Sequence, residues 1–234
     1  MISVIIPVVN EEAALEPLLR QLELESTPHE VIVVDGGSTD RTVELARSSG
    51  AIVISSACGR GNQICRGVEQ ACGDVLFFLH ADSVFPAGGL QRIREALAEY
   101  PRAVGGNFRL IFDGDSGFSR WLTGFYAFIR LFRLYYGDSG IFVRRSVYDA
   151  IGGMKPIPVM EDIEFVRRLE RSGRTCRIID KPLVTSSRRF DGRWPPEIVY
   201  GWLKLHVLFW LGLSPETLAC MYRKQQSKKS PGPM

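Results

Sequence analysis

Three carboxylates that could do chemistry lie far apart along the chain, each beside a predicted strand or helix. Asp35 and Asp82 each follow a run of apolar residues typical of a buried strand, and Asp162 lies at the start of an amphipathic segment. Ligands of an open parallel sheet bind beyond the carboxyl ends of its strands, where the connecting loops meet. We therefore expect the three carboxylates to gather around one cleft that holds a cation and a diphosphate.

Two of these positions suggest a metal site and a general base. Asp82 is a candidate ligand for Mn²⁺ or Mg²⁺, because hard cations prefer carboxylate oxygens and diphosphate oxygens can supply further ligands. His80, on the same side of an extended backbone, could add an imidazole or an outer contact, although a lone histidine is usually structural. Glu161 and Asp162 begin a helix, where acids often only balance the helix dipole. Beside a bound diphosphate, however, Asp162 could take the proton from an attacking hydroxyl.

The loops that follow the predicted strands carry groups suited to a nucleotide. Asp35 can accept hydrogen bonds from a base or a ribose, and Gly36 and Gly37 let the backbone turn tightly beside a ring. A plainer interpretation, in which the carboxylate caps the next helix, stays open for Asp35 and is stronger for Asp40. The loop at residues 59–62 contains two glycines and an amide and is expected at the same edge of the sheet.

An alternating pattern of strands and helices positions these groups in the first hundred residues. Continuous apolar, β-branched runs are typical of strands buried on both faces, and segments with helical spacing separate them. Asn10 can cap the first helix, which has Glu11 and Glu12 in its first turn. The alternation predicts a parallel sheet with helices on both faces. The strands are predicted at residues 2–9, 30–34, 51–55 and 74–79.

Beyond residue 100 the regular alternation stops. Residues 104–112 alternate in a way that predicts a strand exposed on one face. Residues 118–136 are rich in aromatic side chains with arginines between them, which suits either core packing or a pocket for an acceptor. Further elements are predicted as a strand at 141–143, a helix at 161–172 and a strand at 175–179.

The chain then continues into an apolar segment at residues 197–213. Lys204 and His206 interrupt its best apolar window, so a helix that spans a membrane is not expected. The segment is predicted to be helical, and packing on the core is favoured over a position at a membrane surface.

Composition narrows the class of protein. The chain has 234 residues, of which 45% are apolar and 24% charged, as expected of one globular domain. The formal net charge of +3 gives no argument for nucleic acid as a partner. Five cysteines, an odd number, with no signal peptide before them favour a reducing cytoplasm over a disulfide framework.

Two common nucleotide motifs are missing from the sequence. The loop Gly59-Arg-Gly-Asn-Gln-Ile64 begins like the dinucleotide fingerprint but lacks its third glycine, and no Gly-Lys-Ser/Thr triplet exists. Dehydrogenases of the Rossmann type and phosphate-loop kinases are therefore excluded.

Five sequence segments, in order along the chain, resemble family 2 glycosyltransferases. The resemblance covers residues 1–190 and implies a GT-A fold, an α/β architecture whose mostly parallel central sheet is flanked by helices, here with an apolar helical tail. It also implies a divalent metal and inversion at the anomeric carbon. His80 stands where the family usually has the first Asp of its Asp-x-Asp motif. The segments are Val4-Ile-Ile-Pro-Val-Val-Asn10-Glu11, Val33-Val-Asp35-Gly-Gly-Ser38-Thr-Asp40, Phe78-Leu-His80-Ala-Asp82-Ser, Gly137-Asp-Ser-Gly140-Ile-Phe-Val-Arg-Arg145 and Met160-Glu161-Asp162.

A narrower resemblance concerns two of the loops. Leu79-His-Ala-Asp82 and the loop Gly59-Arg-Gly-Asn-Gln63 are similar to the small bacterial branch associated with arsenosugar biosynthesis. Arg193-Trp194 resembles part of a signature of processive polysaccharide synthases, but Phe190 replaces its Gln, so processive synthesis is disfavoured.

The resemblance and the loop patterns together give a set of candidate site residues. Asp162 is the expected base with Glu161 beside it, and Asp82 and His80 are the expected metal ligands. Arg188, Arg189 and Arg193 could neutralise a leaving diphosphate or simply be solvated surface charge. Nucleotide contacts are predicted at Pro7, Asn10, Glu11, Asp35, Gly37, Ser38, Gly59, Arg60, Asn62, Ala81 and Asp82. Acceptor or diphosphate contacts are predicted at Asp138, Ser139, Gly140, Arg188, Arg189, Arg193 and Trp194.

These observations define an expected organisation and an expected set of partners. We expect one catalytic domain at residues 1–190, with a nucleotide half at about 1–100 and an acceptor half at about 101–190. A helical extension at 191–222 and a disordered basic tail at 223–234 are expected to follow it. The expected partners are a nucleotide-diphosphate sugar, a small or lipid-linked acceptor and a second copy of the chain, and no nucleic acid. The expected location is the cytoplasm, with peripheral membrane contact at the inner face through residues 197–213.

Two other functions remain open at this point. One is nucleotidyl transfer to a sugar phosphate, which normally uses a glycine-rich first loop that this chain lacks. The other is a non-catalytic module that binds nucleotide sugars or docks on a membrane, which the altered metal motif and the apolar tail would suit.

Overall fold

The computed structural model describes residues 1–186 and 194–227, and its first hundred residues alternate between strands and helices. The first three strands each lead through a loop into the next helix, as the apolar pattern predicts, and the fourth leads into a short fifth strand. The strands are β1 (Ile2–Val8), β2 (His29–Asp35), β3 (Ile52–Ser55), β4 (Val75–Phe78) and the short β5 (Ser83–Val84). The helices are α1 (Glu12–Glu23), α2 (Thr42–Ser48), α3 (Arg60–Gln70) and α4 (Gly89–Glu99).

The second half is less regular. The aromatic stretch forms a helix followed by a short 3-10 turn, and the apolar tail forms two helices rather than one. The strands are β6 (Ala103–Phe112), β7 (Ile141–Arg144) and β8 (Arg174–Thr185). The helices are α5 (Gly117–Ile129), α6 (Arg145–Ala150), α7 (Glu161–Ser172), α8 (Pro195–Trp210) and α9 (Pro215–Ser227), with 3-10 turns at Arg130–Phe132 and Gly137–Ser139.

All these strands form one sheet in the order β3-β2-β1-β4-β7-β6-β8-β5. The first four strands are parallel, so the predicted parallel sheet is confirmed in the first half. The second half is mixed, because β7 runs antiparallel to both β4 and β6, and β5 runs antiparallel to β8. The sheet places the carboxyl ends of β1, β2 and β4 at one edge.

Helices cover both faces of the sheet, and each face has its own apolar core. Every residue of β1 is buried, and its side chains alternate between the two cores, with Val4 and Ile6 in one and Ile5 in the other. Leu15 of α1 packs in the first core and Phe165 of α7 in the second. This explains why the central strands appear in the sequence as unbroken apolar runs.

Two predicted elements differ in extent from the observed ones. The last strand, predicted at 175–179, runs from Arg174 to Thr185, because it pairs in parallel with β6 on both sides of an irregularity at residues 179–182. The apolar tail breaks after α8, where Gly212 has φ +85° and Pro215 begins α9.

The tail bears on two further predictions. No helix within residues 1–186 and 194–227 is long and apolar enough to cross a membrane. The division into a catalytic domain, a helical extension and a basic tail stays a prediction: α9 reaches Ser227, and residues 228–234 of the predicted tail lie outside the described residues.

Candidate active site

Two of the candidate carboxylates lie at the same edge of the sheet. Asp35 is the last residue of β2 and pairs in register with Val8, the last residue of β1. β4 ends one strand away at Phe78, and His80 and Asp82 follow it. The edge predicted from the apolar runs therefore exists, and its loops carry the expected groups.

Asp35 is largely occupied by its own turn. Its carboxylate is buried and accepts hydrogen bonds from the N–H of Gly37 at 3.2 Å and of Ser38 at 2.9 Å. Gly37 has φ +103°, which a side chain would rarely allow. Because each carboxylate oxygen can accept a second hydrogen bond, Asp35 remains able to contact a ligand.

Asp40 acts as the plainer interpretation predicts. Its carboxylate accepts hydrogen bonds from the N–H of Thr42, the first residue of α2, and from the N–H of Glu12 at the start of α1. A hydrogen bond from the Thr42 hydroxyl is the main reason why the Asp40 pKa lies below its usual value. Asp40 thus ties two helix starts together.

Asn10 and Ser38, both predicted nucleotide contacts, also link the first two loops. The Asn10 side chain accepts a hydrogen bond from the N–H of Thr39 at 2.7 Å, and the Asn10 N–H donates to Ser38 Oγ at 2.9 Å. Asn10 adopts φ +54°, a left-handed conformation that Asn tolerates better than most residues. These contacts fix the shape of the edge around Asp35.

Gln63 links the ends of β1 and β2 at the same edge of the sheet. The sequence patterns gave no reason to select this residue. Its buried side-chain amide donates to the carbonyl oxygens of Val8 at 2.9 Å and Val34 at 2.7 Å. A Cβ on Gly36 would lie 3.1 Å from the same amide nitrogen, so the glycine leaves room for it. Gln63 was visible in the sequence only as the last residue of the glycine-rich loop.

Asp82 faces an open pocket of about 450 Å³ together with Glu11. The pKa of Glu11 is raised, first by burial and then by the negative charges of Asp82 and Asp40. A cation bound between these carboxylates would reduce their mutual repulsion. The charge of the pocket therefore suits a divalent metal. The pocket is lined by Asn10, Glu11, Glu12, Ala13, Ala14, Asp40, Asp82 and Ser186.

The ligand set for a metal is nevertheless incomplete. In the part of the chain that the structure describes, no three His, Cys, Asp or Glu side chains are grouped so that they could hold one ion. A metal here would therefore need oxygens from a bound diphosphate in addition to Asp82, as expected from the sequence. The residues fit a metal that arrives with its nucleotide better than a permanently bound one.

Asp162 and His80 converge on one glycine. Asp162 Oδ2 accepts a hydrogen bond from the N–H of Gly137 at 2.8 Å, and its Oδ1 accepts one from Ile163 N–H at 2.8 Å. A Cβ on Gly137 would lie 3.0 Å from His80 Nε2 and 3.5 Å from Asp162 Oδ2. The start of α7 is thus adjacent to the loop that carries Asp82.

Glu161, next in sequence to Asp162, lies in a different environment. It is 2% exposed, and its Oε1 lies 2.8 Å from Arg60 Nε. Burial raises the Glu161 pKa, the positive charge of Arg60 lowers it and the negative charge of Asp162 raises it. Arg60, a predicted nucleotide contact, therefore ties the start of α3 to the start of α7.

The backbone before this acid pair is strained. Met160, the residue that caps α7, has φ +65° although it is not a glycine. Such outliers cost about 1–3 kcal/mol each and cluster at functional sites. The strain sets where the first turn of α7, and hence Asp162, begins.

The predicted acceptor residues divide into two groups. Asp138 and Ser139 are buried, with the Tyr126 hydroxyl 3.2 Å from Asp138 Oδ2 and the Asn107 amide 3.1 Å from Ser139 Oγ. Gly140 has φ +63°, and a Cβ there would lie 3.0 Å from the Phe77 ring. These three residues position Gly137 from within the fold.

The other group lies farther along the chain. Trp194 is 67% exposed at the start of α8. Arg188, Arg189 and Arg193 lie outside the described residues.

The remaining predicted nucleotide contacts lie around the same edge. Asn62 donates its amide to the carbonyl oxygen of Cys58 at 3.3 Å, and Gly59 has φ +125° just before α3. Pro7 and Ala81 are buried in β1 and in the loop after β4.

Tyr136 lies beside the candidate site, and its only signal in the sequence was its place in the aromatic stretch. Its hydroxyl oxygen lies 3.2 Å from His206 Nε2 on α8, and it directly precedes Gly137. Its pKa is raised, mainly by burial and then by the charges of Asp162 and Asp138. Tyr136 thus connects α8 to the loop that contacts Asp162.

Comparisons with known proteins identify the family and the fold. The model of the family described as glycosyl transferase family 2 matches residues 3–157. An undecaprenyl-phosphate 4-deoxy-4-formamido-L-arabinose transferase from Pseudomonas paraeruginosa is 34% identical over 135 residues, which are 52% of this chain and 39% of that protein. The chain thus spans about two fifths of the length of this relative.

Solved structures share the fold at low sequence identity. TarS 1-349 of S. aureus, in complex with UDP-GlcNAc, has a TM-score of 0.64 and 20% identity over 80% of this chain and 58% of that one. The mannosyltransferase PcManGT of Pyrobaculum calidifontis, in complex with GDP-Man and Mn²⁺, has a TM-score of 0.61 and 20% identity over 78% and 56%. The predicted GT-A fold is therefore confirmed, and the match of the family model across residues 3–157 shows that this chain belongs to glycosyl transferase family 2.

Proposed function

We propose that this protein transfers a glycosyl group from a nucleotide-diphosphate sugar to an acceptor hydroxyl, with inversion at the anomeric carbon. One observation carries the proposal: Asp162 and His80 meet at Gly137, at the sheet edge where Asp82 faces an open pocket. This arrangement puts a candidate base beside the loop suited to a metal and a diphosphate.

The donor side of the proposal rests on the loops around Asp35. Asp35 keeps free acceptor capacity at the edge of the sheet, and Asn10 and Ser38 hold the loops that surround it. Two structural neighbours were solved with UDP-GlcNAc and with GDP-Man, which supports a nucleotide sugar as the ligand class. The identity of the sugar is left to experiment.

The metal side rests on Asp82 and on the raised pKa of Glu11. Asp82 would hold Mn²⁺ or Mg²⁺ together with diphosphate oxygens, and Glu11 lies close enough to feel its charge. When bound, the metal would neutralise charge on the departing diphosphate. His80 Nε2 is directed at Gly137, so an outer contact is the role that its position favours.

The catalytic step that we propose is a single displacement. Asp162 accepts the proton of the acceptor hydroxyl while the oxygen attacks the anomeric carbon, and the bond to the nucleotide diphosphate breaks with its electron pair on the leaving phosphate. One displacement inverts the configuration at that carbon. The hydrogen bond from Gly137 N–H orients the Asp162 carboxylate for this task.

The acceptor proposal includes a lipid. The Pseudomonas relative is named for an undecaprenyl-phosphate substrate, which supports a lipid-linked acceptor over a small soluble one. The five cysteines are unpaired, in accord with the proposed cytoplasmic location. The resemblance to the arsenosugar branch stays a prediction, because neither the relative nor the structures described above belong to that branch.

Asp162→Asn tests the mechanism. We expect the variant to lose at least a hundredfold in kcat, because an amide cannot take the proton, while the Kd for the donor changes less than threefold. Transfer would be followed with a labelled donor, and donor binding by calorimetry. The matched control is Asp149→Asn, which removes an exposed carboxylate on α6.

Two outcomes would count against the proposal. Unchanged turnover in Asp162→Asn would remove this residue from the mechanism. Donor binding by the unaltered protein without transfer, across a broad panel of acceptors, would favour the non-catalytic module instead.

A further inference from the structure

Exposed large apolar side chains concentrate in two segments of the chain. One runs from α5 through the 3-10 turn at Arg130–Phe132, and the other covers α8 and the turn after it. We name their combined surface the aromatic face; its members are 37% to 77% exposed. They are Trp121, Phe128, Leu131, Phe132, Leu134, Tyr200, Leu203, Val207, Trp210, Leu211 and Leu213.

The two segments pack against each other through their inner sides. Trp202 of α8 stacks on Phe125 of α5 with ring centroids 6.4 Å apart and meets Tyr126 edge to face, also at 6.4 Å. The buried residues Ile198 and Leu205 share the helical side of Trp202. The aromatic face is therefore one surface formed by two adjacent helices.

The outer side of α8 is apolar where a surface helix is normally polar. Tyr200, Leu203 and Val207 recur at helical spacing on the side opposite to Leu205, and each is at least 47% exposed. A helix that is apolar on both sides requires a second apolar environment in addition to the core. The described part of the chain covers only one side.

The charges of the two segments are of one sign. No Asp or Glu occurs between Asp115 and Asp138, or between Glu197 and Glu216. Arg120 and Lys204 lie in these intervals and are exposed; Arg133 is also exposed, but its guanidinium pairs with Glu170 of α7 at 3.3 Å. Exposed tryptophan and tyrosine with basic residues and no acids are typical of surfaces that bind the interface of an anionic membrane.

The aromatic face also borders the candidate active site. Tyr136 contacts His206 on the inner side of α8, and the next residue, Gly137, donates its N–H to Asp162. Two successive contacts thus link α8 to the proposed catalytic carboxylate.

We propose that the aromatic face docks this protein on an anionic lipid surface. Where the proposed transfer also holds, docking would present the cleft to an acceptor anchored in that surface. The sequence pointed only to residues 197–213, and the structure adds α5 and the 3-10 turn, which carry four of the exposed side chains, with Leu134 just beyond them.

Vesicle flotation of the full chain tests the proposal without donor or turnover. Vesicles of phosphatidylcholine with 30% phosphatidylglycerol are compared with pure phosphatidylcholine. We expect at least tenfold tighter binding to the anionic vesicles, and a clear loss of binding in 0.5 M NaCl because salt screens the basic residues. Equal binding to both vesicles, or binding to neither, would overturn the proposal.

Matched variants locate the surface. The double variant Phe132→Ser with Leu203→Ser removes two exposed members of the aromatic face, and we expect it to bind anionic vesicles at least fivefold more weakly. The control pair, Leu24→Ser with Ile179→Ser, removes side chains that are 86% and 57% exposed elsewhere and should bind within twofold of the unaltered protein. Equal binding by both pairs would contradict the assignment. Circular dichroism of each pair checks that the fold is kept.

Two further measurements separate the alternatives. Light scattering could show that the unaltered protein is a dimer and that the Phe132 and Leu203 double variant is a monomer. If the unaltered protein also fails to bind vesicles, the aromatic face is a contact between two copies of the chain and the proposal is wrong. Asp162→Asn should float as the unaltered protein does. Loss of transfer in that variant therefore tests the catalytic proposal alone.

Discussion

At the scale of residues, the acid pair at the start of α7 has two separate roles. Asp162 is half-buried and accepts a hydrogen bond from Gly137 N–H, whereas Glu161 is buried and forms an ion pair with Arg60. A buried carboxylate without a partner is costly, because the protein does not solvate its charge as water does. We therefore infer that Glu161, a predicted partner of the base, anchors the start of α7 and leaves the role of base to Asp162.

Arg60→Ala tests this anchor. We expect it to lower the free energy of unfolding by about 1–3 kcal/mol at pH 7.5, because it leaves the Glu161 carboxylate unpaired. Burial already raises the Glu161 pKa, so the folded state holds a proton at this group more tightly than the unfolded state does. Losing Arg60 raises this pKa further, and the loss of stability should shrink as the pH falls towards 5. Urea unfolding at both pH values measures it.

The control for this prediction lies on the same helix. Arg66→Ala removes an ion pair with Glu69 in which both side chains are more than half exposed. Exposed pairs contribute little, so the expected change is under about 0.5 kcal/mol at either pH. A pH-independent loss in Arg60→Ala would show that the charge of Glu161 is not the cause.

At the scale of elements, α3 fixes the loop that leads into α7. Gly61 is buried against the backbone of that loop, and a Cβ there would lie 2.6 Å from the Lys155 carbonyl oxygen and 2.8 Å from that of Ile157. Backbone atoms at these distances cannot move without shifting the loop. The position of Asp162 therefore depends on a glycine one hundred residues earlier.

Gly61→Ala should disturb both the fold and the site. We expect a loss of about 1–3 kcal/mol in unfolding free energy from overpacking, together with a lower kcat as the start of α7 moves. The matched control is Gly124→Ala in α5, where no atom lies within 4 Å of the new Cβ. That variant should be more stable by up to about 1 kcal/mol, because alanine favours helices. Equal stability of the two variants would refute the packing argument.

At the scale of the whole molecule, one sheet joins the loops predicted to bind the nucleotide to the half predicted to bind the acceptor. β4 pairs with β1 on one side and with β7 on the other, so both halves of the cleft share one framework. Ligand binding at this edge should therefore stabilise the molecule against global unfolding.

Thermal unfolding with nucleotide sugars tests this expectation. A cognate donor at a hundred times its Kd, with Mn²⁺, should stabilise the folded state by about 2.7 kcal/mol. EDTA should reverse most of the rise in Tm, and Asp82→Asn should remove the part that depends on the metal. A rise of the same size with EDTA present would contradict metal dependence.

Much of the first half of the fold and of the site could be predicted from local patterns. The apolar runs of β1, β2 and β4 predict strands buried on both faces, and parallel strands bring Asp35 and Asp82 to one edge whatever the rest of the chain does. The two carboxylates can be recognised in the sequence, because an acid that follows a buried apolar strand does not contribute to packing of the core.

The tertiary structure alone decided the contacts between distant segments. Three examples are the pairing of β7 between β4 and β6, the burial of Glu161 against Arg60 and the two hydrogen bonds from Gln63. In each of them, the local sequence around one residue does not indicate which distant residue it contacts. The sequence by itself determined which segments are strands and where their acids lie, since periodicity is local. Which face stays exposed, and which of two adjacent acids is buried, depends on packing between segments a hundred residues apart.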